Sequence, residues 1–209
     1  MQPRHFAYHP EDLLTPLEVS VAMDVPLAEI DRLIDESTEH GMSGARHRMV
    51  PAYMAPVLAL AAKRYSSLPS PAPEILEAHF RRRDALDPDH PFFHTKLRHN
   101  TVLLDLGPAA RHEASRLARY LEARAQVDIR PDLNEGSPTL KGTRAIVHRV
   151  ADAHEAGETS TLYPNLTNKQ IETARLFARA NPREDRARRK LGETARLLRR
   201  SRVKLSTVE

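Results

Sequence analysis

Prolines cut this chain into helical pieces. It carries 16 of them among 209 residues, against only 7 glycines. Proline lacks an amide hydrogen and clashes with the preceding turn, so a helix starts at it or stops before it. Helices divided in this way are too short to be stable alone and must pack on one another. Few glycines also argue against glycine-rich loops that cradle phosphates. Cys is absent, which excludes disulfides, thiol nucleophiles and Cys-type zinc sites and fits a reducing compartment. The expected fold class is mainly α.

Four segments follow from the pattern. Residues 1–66 read as a small helical domain. Thr15 is a good N-cap and Pro16 a good first helical residue, with Leu17, Val21 and Ala22 as a short apolar face. Asp24-Val25 reads as a tight turn. Pro26 opens a second helix with Leu27, Ile30, Leu33 and Ile34 on one face. Arg46 to Val50 reads as a strand, and Pro51 starts a third helix with Tyr53, Val57, Leu58 and Ala61. This order is that of a winged helix-turn-helix. Residues 67–100 read as a Pro-rich linker with one helix, around Arg81-Arg82-Arg83.

Residues 101–181 change period. Thr101 to Asp105 reads as a strand, Pro108 starts an amphipathic helix, and Val127 to Ile129 reads as another strand. That strand–helix–strand piece has a shape that can pair with a second copy. From about 145 to 181 three helices are expected, the middle one short, running from Thr159 to Leu162. Gly157 caps the first and Thr167 the last, whose Ile171, Ala174, Phe177 and Ala178 face inward. The layout is homeodomain-like. Residues 182–209 form a basic tail with a stripe of Ala187, Leu191, Ala195 and Leu198.

Charge divides the chain unevenly. The tail is +6, whereas the remainder is −2. Of the 32 cationic side chains, 26 are Arg, whose planar fork suits phosphates and carboxylates; an Arg-rich genome gives the same bias. An acidic partner is expected at the tail. The longest apolar run, Val57 to Ala62, is far short of a membrane span, and Met1-Gln2-Pro3-Arg4-His5 does not read as a secretory signal. The expected location is cytoplasmic, with no membrane partner.

The search for catalytic patterns is negative. His112-Glu113 and His154-Glu155 lack the second His of a zinc-protease helix, and Lys141-Gly142-Thr143 has the wrong order for a phosphate-binding loop. No catalytic residue, metal ligand or cofactor is expected, and the protein reads as a non-enzyme. His90, His94 and His99 are the rival: either a metal set or loop histidines beside Phe92 and Phe93.

Two segments invite nucleic-acid readings. In the first, residues 24–39 carry six acids against Arg32 alone, a poor match to a phosphate backbone; only Arg46 and Arg48 on the expected wing favour DNA. That unit either touches DNA or serves dimerisation or partner docking. The second is better equipped. Lys141, Arg144, His148 and Arg149 lead into it, and its last helix carries Asn168, Lys169, Gln170, Arg175 and Arg179. Asn and Gln can read adenine, and Lys and Arg can reach guanine or phosphate. A solvated polar face is the other reading.

One stretch resembles a known pattern. Val127-Asp128-Ile129-Arg130-Pro131-Asp132 is followed by Gly136-Ser137-Pro138-Thr139-Leu140-Lys141-Gly142-Thr143-Arg144, then Tyr163-Pro164-Asn165-Leu166-Thr167. It resembles the homeodomain-like domain of unknown function found in many VapB-type antitoxins. Departures are Glu135 where the family has a second glycine, Ala145-Ile146 where it has a Val/Ile-Pro pair, and Leu162 where it has an acid. The resemblance implies an antitoxin of a type II (VapBC-like) toxin–antitoxin system, a homodimer that binds a PIN-like ribonuclease toxin and represses its own operon by binding operator DNA. A PIN-type site is a cluster of carboxylates, which guanidinium groups can bind bidentately. Arg186, Arg188, Arg189, Leu191, Leu198, Arg199 and Arg200 of the tail are therefore the toxin-facing candidates, and phosphate binding is the alternative for the same charge. The rival function is a stand-alone DNA-binding transcriptional regulator with no toxin.

Overall fold

The computed structural model describes residues 8–38, 49–63, 72–94, 96–99, 102–130 and 134–183. It is mainly helical, with a few very short strands. In chain order the elements are β1 (Leu13–Leu14), α1 (Pro16–Met23), α2 (Leu27–Thr38), β2 (Val50–Pro51), α3 (Met54–Ala62) and α4 (Ala72–Phe80). Then come β3 (Leu97–His99), β4 (Val102–Leu104), α5 (Gly107–Ala125), β5 (Val127–Asp128), β6 (Thr139–Leu140), α6 (Val147–Glu155), α7 (Thr159–Leu162) and α8 (Asn168–Ala180).

Local chemistry explains the helix ends. Thr15 caps α1 in a reciprocal box: its hydroxyl accepts from the Glu18 amide, and the Glu18 carboxylate accepts from the Thr15 amide. At the other end Asp24 takes a left-handed conformation, φ 54°, which turns the chain directly into α2. Glycine frees the turn after α6: Gly157 has φ 75°, and the amides of Gly157 and Glu158 bond back to His154 and Ala153. Thr167 caps α8 in a second box, with Gln170.

The strands are staples rather than a sheet layer. β1 pairs antiparallel with β2, β3 with β4, and β5 with β6. The strands on either side of α5 therefore find partners within this chain and need no second copy. All six are two or three residues long; β2, β4 and β5 overlap strands expected from the sequence, whereas β1, β3 and β6 do not.

The main core joins segments that the sequence reading separates. It takes Leu14, Val19 and Met23 from the first helical unit, and Leu117, Tyr120 and Leu121 from α5. Leu76, Phe80, Ala85 and Phe93, from the stretch read as a linker, are buried in the same core. Pro73 lies in the first turn of α4, and α4 lies against α3. Gly107 fits this packing closely, since a Cβ on it would lie 2.1 Å from the Phe93 carbonyl oxygen. A second, smaller core holds Leu140, Val147, Val150, Ala174 and Phe177. Helix α8 serves both, because Ala180 is buried in the main core while Ala174 and Phe177 fill the second.

Helix α5 clamps α1 along its length. Tyr120 donates to the buried Glu18 carboxylate at 2.7 Å, and Arg124 reaches the same carboxylate at 3.7 Å and the Leu13 carbonyl at 3.2 Å. One turn or so earlier, Arg116 bonds the Asp24 carboxylate at 2.9 Å and the Met23 carbonyl. Glu113, buried, holds Lys63 at 2.7 Å, and Lys63 also reaches the Met23 carbonyl at 3.3 Å. Positive charge thus sits at the carboxyl end of α1, where the helix dipole favours it.

Glu18→Ala removes half of the α1 cap and strands the buried Tyr120 hydroxyl, so we expect it to cost about 2–4 kcal/mol of unfolding free energy in urea titration. A loss below about 0.5 kcal/mol would show that the carboxylate is not a structural anchor.

Candidate functional site

The sequence-selected cations fall into two separate places. Lys141, Lys169 and Gln170 meet in a groove of about 340 Å³ where the β6 turn approaches the start of α8, with Gln126, Leu140, Thr167 and Thr173 completing its walls. His148, Arg175 and Arg179 instead line a cleft of about 290 Å³ between α1, α6 and α8. Arg144, Arg149 and Asn168 are exposed and line neither. Arg46 and Arg48, and the tail candidates Arg186, Arg188, Arg189, Leu191, Leu198, Arg199 and Arg200, lie outside the described residues.

In the groove the cations are partly offset. Lys169 lies 3.7 Å from Glu122 on α5, and Lys141 lies 4.0 Å from Asp128. Both lysines are well exposed, so these pairs hold them only weakly and leave them free to take a phosphate. Gln170 is more committed. Its side-chain oxygen accepts from the Thr167 amide at 2.9 Å and from the Thr167 hydroxyl at 3.1 Å. Reading adenine through both ends of the amide would break this cap, so Gln170 serves the helix start before any base.

The cleft has a different character. Leu17 and Val21 of α1 form one wall, one turn apart and half-buried. Ala151 of α6 and Ala178 of α8 complete an aliphatic floor. Around it stand Arg175, Arg179 and Arg183, with Glu155 as the lining acid among the described residues. Arg175 is held by Glu172 at 2.6 Å, one turn away. Arg179 and Arg183 make no ion pair among the described residues, although Arg179 adds to the field that lowers the Asp24 pKa, set first by the Arg116 hydrogen bond. No signal along the sequence could have paired α1 with α8 in this way, because the two are far apart in the chain.

Helix α2 lacks a usable cation. Arg32 is clasped between Glu29, at 2.5 Å, and Glu36, so the acids of that helix dominate its exposed face. His90 and His94 have separate partners. His94 faces Arg111 at 2.7 Å, His90 faces Asp84 at 3.6 Å, and His99 lies in β3. Among the described residues, no group of three His, Asp or Glu is placed to hold a metal ion, and no helix is long and apolar enough to cross a membrane.

The sequence reading passed over His79. It is buried, stacks on Phe92 with ring centres 3.9 Å apart, and meets His90 edge-on at 4.7 Å. Burial pushes its pKa down from 6.5 to about 4, and a charge on His90 would push it the same way.

With the geometry in place, comparison with known proteins finds a likeness for one part of the chain. Residues 127–178, from β5 to near the end of α8, match a family described as a protein of unknown function (DUF433). An uncharacterized protein of Sinorhizobium fredii (strain NBRC 101917 / NGR234), y4eO, is 34% identical over 94 residues. That alignment covers 43% of this chain and 42% of the relative, so the chain spans about two fifths of the relative's length. No solved structure matches. The groove lies almost wholly within the matched stretch, whereas the cleft takes one wall from α1, outside it.

His79 carries a pH consequence. Its pKa is depressed in the fold, so below about pH 6.5 the unfolded chain takes up a proton that the folded one refuses. Stability contributed by neutral His79 is complete above that pH and falls until the pH reaches about 4. We expect His79→Phe to lose on the order of 1–2 kcal/mol less than the parent between about pH 7.5 and about pH 5, measured by urea unfolding. Equal losses in the two proteins would show that His79 is readily protonated in the folded state.

Proposed function

We propose that this protein is a non-enzymatic, VapB-like antitoxin that binds operator DNA through its homeodomain-like helices and silences a PIN-like ribonuclease through its basic tail. The observation that carries the DNA half is the groove at the start of α8, where Lys141 and Lys169 stand exposed beside a helix amino terminus. Phosphate oxygens are attracted by both. Arg144, Arg149 and Asn168 are exposed, and in this reading they add further contacts to the duplex. In this reading α6, α7 and α8 are the homeodomain-like unit. The pair α1–α2 is helix-turn-helix in form and turns an acidic face outward, which suits a docking or dimer role better than a phosphate backbone.

The toxin half rests on the resemblance and on charge. Residues 182–209 are +6, and a carboxylate-lined nuclease site is the kind of surface that arginine forks bind. A homodimer is part of the proposal, since paired half-sites are the habit of such DNA-binding units.

The direct test is a tagged pull-down from native lysate after nuclease treatment, with mass spectrometry of the eluate. A small PIN-like protein at near-equal amount supports the antitoxin reading; recovery of the chain alone favours the stand-alone regulator. Deleting residues 184–209 should abolish toxin neutralisation in a growth assay while the rest stays folded, and rescue by the truncated protein would place the toxin contact elsewhere. For the DNA face, Lys141→Ala with Lys169→Ala should lower the slope of log affinity against log salt by about two. An unchanged slope would remove the groove from the interface.

A further inference from the structure

We infer that the cleft between α1, α6 and α8 docks a short acidic, amphipathic peptide segment of a partner protein, and that Arg175 and Arg179 serve this site rather than DNA. The inference goes beyond the antitoxin reading and does not depend on it.

Three observations carry it. The first is the floor. Leu17 and Val21 are spaced one turn apart on α1, and together with Ala151 and Ala178 they leave aliphatic surface open to the cleft. Aliphatic surface gains nothing from a phosphate backbone, whereas it matches apolar side chains one turn apart on a docking helix. The second is the rim. Among the described residues Arg179 and Arg183 make no ion pair, and Arg175 pairs with Glu172, a carboxylate that Arg119 also reaches at 3.6 Å, so the described lining carries more guanidinium groups than carboxylates. That surplus favours carboxylates. The third is size. A cleft of about 290 Å³ is the scale of a few side chains, not of a globular face or a duplex groove.

The occupant that satisfies all three has two apolar side chains seated on the floor and flanking Asp or Glu residues reaching Arg179 and Arg183. A polar rim around an aliphatic centre is the usual anatomy of a protein interface.

A random dodecapeptide library displayed on phage and panned against the full chain tests this. We expect enrichment of sequences with a pair of apolar residues one turn apart and at least two acids. Synthetic copies, followed by fluorescence anisotropy, should bind about tenfold more weakly to Arg179→Glu and to Arg183→Glu, and equally well to Lys169→Ala. Arg179 is exposed and Arg183 half-buried, so the Arg179 variant should keep the parent melting midpoint, and the midpoint of both is measured alongside. Failure to enrich such a pattern overturns the inference. So does a selected peptide that binds both arginine variants as tightly as the parent, or one displaced by a random-sequence DNA duplex but unaffected by Arg179→Glu.

Discussion

The carboxylate of Glu18 is the point on which the two halves of the chain meet. It caps its own helix through the Thr15 amide, and it accepts the Tyr120 hydroxyl from α5 at 2.7 Å. A buried carboxylate needs such partners, because an ionised group without them is costly to remove from water. Arg124 supplies the nearby positive charge. From there α5 follows α1 to its other end, where Arg116 and Lys63 share the Met23 carbonyl. The first helix is therefore fixed at both termini by polar contacts, and its apolar residues Val19 and Met23 are held in the core between them.

Fixing α1 also shapes what lies above it. Helix α8 packs on α6, α1 and α5, and its end is buried in the main core. The stretch that matches the family of unknown function is thus not an appendage; its last helix is part of the wall that the first helix builds. Two consequences follow for function. The groove at the start of α8 is lined by the exposed lysines and by Gln126 at the end of α5. The cleft toward its end exists only because α1 is there. One helix therefore carries a phosphate-suited surface at its beginning and a peptide-suited surface toward its end.

Most of the described helices were legible because their ends are chemical, although α3 starts at Met54 and not at Pro51, and Arg81 to Arg83 follow α4 in a turn rather than forming a helix. Thr15, Thr167, Pro16 and Gly157 mark boundaries that the structure keeps, and even the four-residue α7 stands where its sequence placed it. The strands were half legible, since two- and three-residue pairings have no period to read. The stretch around Leu76, Phe80 and Phe93 was misread because its prolines suggest a linker, while its apolar residues are spent on the main core. Glu18 and Glu113 are buried, and a carboxylate in a sequence reads as surface. The candidate cations were all legible as residue types. Their division into a groove and a cleft was not, because it depends on α1 and α8 meeting across most of the chain.

The claim that α1, α5 and α8 form one cooperative body is open to amide hydrogen exchange across low denaturant concentrations. If Glu18 and the shared core bind them as described, the most protected amides of all three helices will open with the same free energy and the same denaturant dependence. If α8 opens together with α6 at a clearly lower free energy while α1 and α5 stay protected, the matched stretch is an independent unit and the account is wrong.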